Sequence, residues 1–250
     1  MTTKTQVKDC LIVALDTSSE KEAIKLVEKL SDKVGYFKVG LELFCSLGPK
    51  IIQLIKDNGN KVFFDGKFLD IPNTVSKAVS NMVRHRVDML NMYISGGSKM
   101  LQEAKNSLIE TAQIHNLQPP KLLGITVLTS ISDEVLRDDL QIKAQINEYV
   151  LHLASFALKN NLDGIICSPN EAKLVSKLKE EARRNKKEFI IVTPGVRPSW
   201  AKSDDQERIA TPKEAISSGA NHIIIGRPIT NAKDPLDAVK KILDEVEQVL

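Results

Sequence analysis

The chain alternates between short apolar runs and longer stretches with helical spacing. Eight runs are rich in β-branched or other apolar residues: 11–16 (LIVALD), 36–40 (YFKVG), 61–67 (KVFFDGK), 87–93 (VDMLNMY), 122–128 (LLGITVL), 164–167 (GIIC), 189–193 (FIIVT) and 222–226 (HIIIG). Each is short and bounded by polar or turn-forming residues, which predicts a strand. Helical signals fill the intervals. Ser18-Ser19-Glu20 offers a cap and a first-turn acid, and Ala23, Ile24, Val27 and Leu30 then recur on one face. Pro72 stands where a helix start tolerates proline, followed by Val75, Val79 and Val83. Pro169-Asn170-Glu171 opens a run carrying Leu174, Val175 and Leu178, and Pro235 opens a last one with Leu236, Val239, Ile242, Leu243 and Val246.

Strands that alternate with helices pair in parallel through right-handed crossovers. Eight such units in 250 residues predict an α/β fold of the (β/α)8 TIM-barrel type, residues 1–250 forming one catalytic domain. An open doubly wound sheet is the competing architecture. No linker, internal repeat or low-complexity tract interrupts the pattern. The basic cluster Arg183, Arg184, Lys186 and Lys187 precedes a strand and reads as a solvated helix end.

Composition narrows the partners. The net charge of +3 arises from 35 basic and 32 acidic residues, too balanced for a nucleic-acid or membrane-surface binder. A local basic site for a small anion stays open. Cys10, Cys45 and Cys167 are odd in number and form no CxxC pair, which fits a reducing compartment. The N-terminal segment has no signal-peptide core and no apolar run is long enough to span a membrane, so a soluble cytoplasmic protein is expected.

In a barrel of this type, chemistry gathers at the C-terminal strand ends. Those ends carry Asp16, Lys38, Asp65, Lys67, Thr126, Thr129, Thr193, Arg197, Gly226 and Arg227. The densest segment runs from Asp65 through Lys67 and Asp70 to Thr74. Asp65 and Lys67 are two residues apart, so on a strand they share a face with Phe63, roughly 6.5–7 Å from each other along the axis. Buried charges need partners of opposite sign, and an alternating array of Lys38, Asp65, Lys67 and Asp70 would satisfy all four. Such an array holds Lys67 protonated and ready to deliver a proton. Asp65 and Asp70 could instead bind a hard cation, but an ammonium between them competes for the same oxygens. A salt-bridge network that only stiffens the barrel is the third reading.

Gly226-Arg227 after the last strand suits a phosphate, because glycine lets backbone N–H groups approach and arginine adds a permanent charge. The polar stretch 198–210 (PSWAKSDDQERIA) is long for a strand-to-helix connection and suggests a lid. Nucleotide-binding glycine motifs, a nucleophile elbow and a zinc-protease helix are absent from the sequence, and its four histidines are scattered without ligand spacing. Cys167 at a strand end reads as a buried filler rather than a nucleophile.

Taken together, these segments resemble the orotidine 5′-phosphate decarboxylase family over nearly the whole chain. The likeness rests on ALD ending at Asp16, FKVGLELF around Lys38, FFDGKFLDIPNTV (63–75), DMLNMYISGG (88–97), ITVLTS ending at Ser130, TPGVRP (193–198), DDQERIATP (204–212), and GRPIT with the following DP (226–235). The resemblance implies cofactor-free decarboxylation of orotidine 5′-monophosphate (OMP) to UMP, with no metal. It implies that Lys67 is the proton donor to pyrimidine C6, that Asp65 faces the substrate carboxylate, and that Lys38 and Asp70 complete the array. It further implies that Asp16 and Lys38 contact the ribose, that Thr129 binds substrate, and that Arg197, Gln206, Gly226 and Arg227 lie on the phosphate side. Family members are typically homodimers, so Asp70 and Thr74 are expected to reach the neighbouring site. Three positions depart from the family pattern: Gly66 where leucine is frequent, Arg86 where glycine is frequent, and Tyr93 where histidine is frequent. A metal-dependent phosphate-sugar decarboxylase or aldolase on the same barrel, and a catalytically silent nucleotide-binding protein, are the alternatives.

Overall fold

Eight parallel strands close on one another in chain order, each hydrogen-bonded to the next and the last to the first. They are β1 Leu11–Ala14, β2 Tyr36–Val39, β3 Val62–Phe68, β4 Met89–Tyr93, β5 Lys121–Ile125, β6 Gly164–Ile166, β7 Ile190–Thr193 and β8 His222–Ile225. All eight coincide with the apolar runs, and closure excludes the open sheet. The structure is a computed structural model, in which residues 7–201 and 210–250 are described.

The strands read as apolar throughout because both faces are buried. Inside the barrel, Ile12, Phe63, Leu123 and Ile190 from odd-numbered strands pack with Met89, Ile166 and Ile224 from even-numbered ones. The opposite faces of the strands meet the helices in a larger cluster that includes Leu11, Phe37, Val62, Leu90 and Ile191. Phe63 is fully buried in the inner cluster, and its truncation to alanine would cost about 3–5 kcal/mol.

The helices begin where the cap chemistry places them. The helix Glu20–Leu30 is capped by Ser19, whose side chain accepts from the Glu22 amide. Pro72, Pro169 and Pro235 each stand in the first turn of a helix: Pro72–Arg84, Pro169–Val175 and Pro235–Glu247. Two details differ from the periodicity. The run opened by Pro169 is interrupted after Val175 and resumes at Leu178, so Leu174 does not share one continuous helix with Leu178. Leu236 is exposed, and Ala238 takes a buried place on that helix. The four basic residues at 183–187 are all exposed around the end of the helix Leu178–Arg184, as a solvated helix end requires. Among the described residues, no helix is long and apolar enough to cross a membrane.

Candidate active site

Within the barrel, inward-facing side chains become charged toward the C-terminal strand ends. On β2, Lys38 follows Tyr36 on the inner face; on β3, Asp65 follows Phe63; on β4, Asn91 follows Met89. The register pairs Lys38 with Phe63, which sets Asp65 one inward step beyond Lys38. The result is a line of alternating charge. Lys38 Nζ lies 3.3 Å from Asp16 Oδ1 and 3.4 Å from Asp65 Oδ2, and Lys67 Nζ lies 2.7 Å from Asp65 Oδ1.

The alternation expected from the sequence is therefore present, but displaced by one member. The order in space is Asp16, Lys38, Asp65, Lys67, and Asp70 is outside it. Asp70 is exposed at the start of the next connection, where its carboxylate accepts the Ile71 amide at 2.6 Å. Thr74, exposed in the first turn of the helix Pro72–Arg84, is also outside the charged line. The strand geometry explains the difference. After Phe64 the pairing of β3 with β4 shifts register, and Lys67 takes a left-handed backbone (φ 51°), which turns the following segment away from the barrel axis. Within one chain, with Asp70 elsewhere and an ammonium on Asp65, the two carboxylates of the metal reading do not converge.

Asp65 is largely buried, and burial by itself would raise its carboxyl. The charges of Lys38 and Lys67, with hydrogen bonds from Lys67 and Asn91, overcome that penalty and hold it below the ordinary carboxylate value. The site thus retains an ionised acid between two ammonium groups.

These residues line a cavity of about 270 Å³ together with Thr129, Arg197, Gly226 and Arg227. Ile125, Ile166 and Ile224 supply apolar lining. A lining that combines an alternating charged line, apolar side chains and two arginines fits a ligand that carries both an apolar ring and anionic groups. Gly226 has a steric reason to be glycine: a Cβ there would lie 2.9 Å from Asp16 Oδ2 and 3.4 Å from the Ala14 side chain. Arg197 is buried, and its amide donates to Ala210 O at 2.9 Å where a short bridge pairs Val196 with Ala210. That bridge ties together the two ends of the long polar connection. Gln206 lies outside the described residues.

Other strand-end polar residues do not join the cavity. Thr126 is buried and donates to Ile166 O at 2.8 Å, a contact between strands, and Thr193 does not line the cavity. Cys167 is buried in the wall.

One polar contributor is absent from the sequence expectations. Asn91 is fully buried and hydrogen-bonded to both Asp65 and Lys67. Its signal was an amide side chain at an inward position of an otherwise apolar strand, two residues from Met89.

Two of the three family departures have a local cause. A Cβ on Gly66 would fall 2.3 Å from the Phe64 ring, which packs against Phe44 and Phe68, so glycine here leaves room for an aromatic cluster. Arg86 has φ 59°, the left-handed conformation in which glycine is the natural occupant. Tyr93 is half-buried at the end of β4; burial, then the charge of Asp65, raises its hydroxyl pKa.

Comparison with known proteins gives a consistent picture. A model of the orotidine 5′-phosphate decarboxylase / HUMPS family matches residues 9–242. The orotidine 5′-phosphate decarboxylase of Moorella thermoacetica is 44% identical, the match covering 97% of this chain and 94% of the relative. The one from Gloeothece citriformis is 42% identical over 97% of this chain and all of the relative. Among solved structures, the orotidine 5′-phosphate decarboxylase of Lactobacillus acidophilus superposes with a TM-score of 0.80 at 38% identity, covering 94% of this chain and 98% of that one.

Proposed function

The chain belongs to the orotidine 5′-phosphate decarboxylase / HUMPS family, and from that premise we propose that it converts OMP to UMP and CO₂ without a cofactor, all in one barrel domain. The observation that carries this reading is the Lys67 ammonium, held 2.7 Å from an ionised Asp65 in a cavity that Arg197 and Arg227 also line.

Loss of CO₂ breaks the bond between C6 and the carboxyl carbon, leaving an electron pair in the plane of the pyrimidine ring. That pair cannot delocalise into the ring π system, so a fixed charge must stabilise it. Lys67 is placed to do so and then to give C6 a proton, drawing a replacement from solvent; the balance is OMP and one proton to UMP and CO₂. Asp65 holds the ammonium in place and crowds the departing carboxylate. In this reading Lys38, which bridges Asp16 and Asp65, contacts the ribose together with Asp16. Thr129 takes part in substrate binding, and Arg197, Gly226 and Arg227 serve the 5′-phosphate, with Gln206 joining them from the connection. Phosphate contacts far from C6 then supply binding energy that favours the transition state.

We further read the working unit as a cytoplasmic homodimer in which Asp70 and Thr74 serve the neighbouring site. Asp70 is flanked by Leu69 and Ile71, large apolar residues that are 55% and 66% exposed, and such a patch favours burial against another surface.

The direct test is CO₂ release from OMP with EDTA present and no added metal. Turnover under these conditions supports the reading; turnover that appears only with a restored divalent cation favours the metal-dependent branch of the family. Binding of UMP without any consumption of OMP would leave only a nucleotide-binding protein. Mixing subunits tests the shared site: Lys67→Ala and Asp70→Ala chains, each inactive alone, should regain activity as mixed dimers. A mixture that stays inactive although mixed dimers form would place Asp70 in its own chain's site.

A further inference from the structure

Asn91 grips both reactive groups of β3 with the two ends of its amide, and we propose that it is a positioning residue for Lys67 and Asp65. Its Oδ1 accepts the Lys67 backbone N–H at 2.8 Å, and its Nδ2 donates to Asp65 Oδ1 at 2.7 Å. The same Asp65 oxygen accepts from Lys67 Nζ at 2.7 Å. The three residues therefore form a closed ring of hydrogen bonds, with Asn91 fully buried behind it.

The need for this grip comes from the backbone. Phe64 pairs with Leu90 and Phe68 with Met92, so β3 carries more residues than β4 between those points and must bulge away from its neighbour. Lys67 sits in the bulge with φ 51°, a conformation disfavoured for any residue with a side chain. A buried backbone N–H that leaves the strand ladder needs another acceptor, and the Asn91 carbonyl is that acceptor. The amide orientation follows from the partners: an N–H can only donate, so Oδ1 must face Lys67, which leaves Nδ2 for the carboxylate.

Asparagine alone meets the requirement at this length. Leucine supplies neither contact, and ionised aspartate keeps the acceptor but turns the donor into a second negative charge against Asp65. By holding Oδ1 toward Lys67, Asn91 also leaves Oδ2 for Lys38, 3.4 Å away. The amide thus decides which oxygen serves which lysine, and where the Lys67 ammonium stands relative to C6.

The activity part of this inference rests on the decarboxylase reading, so the test has a second readout that does not. With OMP as substrate, Asn91→Ala should lower kcat by about 100-fold, the scale of a misplaced reacting group. KM should change less than about threefold, because the phosphate-side groups are untouched. Asn91→Asp, nearly the same shape, should lose activity as pH rises: a proton shared between two carboxylates at low pH restores the donor, and its removal abolishes it. Independently of substrate, a ¹³C carboxyl titration should show the Asp65 pKa moving up in Asn91→Ala. An Asp65 titration and a kcat both unchanged in folded Asn91→Ala would overturn the proposal. So would an Asn91→Asp pH profile parallel to that of the unmodified protein, and this variant decides the matter if alanine prevents folding. A chain that never consumes OMP but shows the shifted titration would overturn only the decarboxylase reading.

Discussion

The two ends of the barrel bury ionisable groups by opposite means. At the C-terminal mouth, Lys38, Asp65 and Lys67 are within 3.4 Å of a partner of opposite sign, and Asp65 stays ionised despite burial. At the N-terminal end, Tyr36 and His222 meet edge to face, with ring centres 5.5 Å apart, beneath the short helix Val7–Cys10. There burial dominates. It pushes the Tyr36 hydroxyl up to about 12, with the negative charges of Asp88, Asp9 and Glu188 adding to the shift. It also lowers His222, against the hydrogen bond its Nδ1 makes to Asp9 O at 2.8 Å. That bond to a carbonyl fixes the proton on Nδ1. Asp65 keeps its charge because two ammonium groups flank it; for Tyr36 and His222 burial outweighs the compensation and favours the neutral forms. The first arrangement can act on a substrate, and the second closes the floor of the fold.

This contrast is most exposed to a change at Lys67. Lys67→Ala should reduce OMP turnover by more than about 10⁴-fold, the combined scale of a lost proton donor and a lost electrostatic stabiliser. Its melting temperature should move little, since Asp65 retains Lys38 and Asn91. Near-normal turnover in a steady-state assay would remove Lys67 from the chemistry and with it the distinction between the ends.

Next in size is the phosphate side. Arg227→Ala should weaken UMP binding by about 100-fold, the scale of lost charge-assisted hydrogen bonds, while uridine binding changes less than about threefold. Calorimetric titration with both ligands measures the difference, and equal weakening would contradict a phosphate role.

At the closed end the expected effects fall on stability rather than turnover. The Tyr36 pKa is raised in the folded state, so the stability it contributes is complete below pH ~10 and is lost as pH climbs toward about 12. Tyr36→Phe should flatten that alkaline decline by about 2 kcal/mol in urea unfolding, leaving turnover at neutral pH unchanged. Asp65 runs the other way. Its folded pKa is lowered, so its contribution is present above pH ~4 and disappears as pH falls through the folded value. Loss of activity in Tyr36→Phe would show that the two ends are coupled.

The smallest expected effect concerns Arg86, exposed beside the closed end with φ 59°. Arg86→Gly should stabilise the protein by about 1 kcal/mol by relieving a left-handed residue, with no change in turnover. A destabilised variant would mean that the arginine side chain has a role the backbone does not reveal.

The legible parts of this protein were those with short-range or strictly periodic causes. All eight strands followed from apolar runs, because a strand buried on both faces has no polar position to spare. The Lys38–Asp65 contact followed as well, because on adjacent parallel strands Asp65 stands one inward step beyond Lys38, within reach of a long side chain. Asn91 was not legible in the same way. One amide in an apolar strand looks like any satisfied core polar residue until the β3–β4 register shift puts the Lys67 N–H and the Asp65 carboxylate at its two ends. Asp70 marks the converse limit. Charge alternation placed it in the array of its own chain, but the segment after the left-handed Lys67 leaves it exposed, and Asp16, just beyond the first strand, stands at the acidic end of the line.

The sequence by itself determined the strand count, the end of the barrel where the charged residues gather, and the pairing of Lys38 with Asp65. These depend on residue parity and hydrophobic period, which are properties of the chain. Only the tertiary structure decided the rest: that Asp16 ends the charged line while the same chain's Asp70 lies outside it, that Asn91 secures the bulge, and that burial favours the neutral forms of Tyr36 and His222. Those outcomes turn on a local change of register, one left-handed residue and the degree of water exclusion, and each exists only once all eight strands have closed around a common axis.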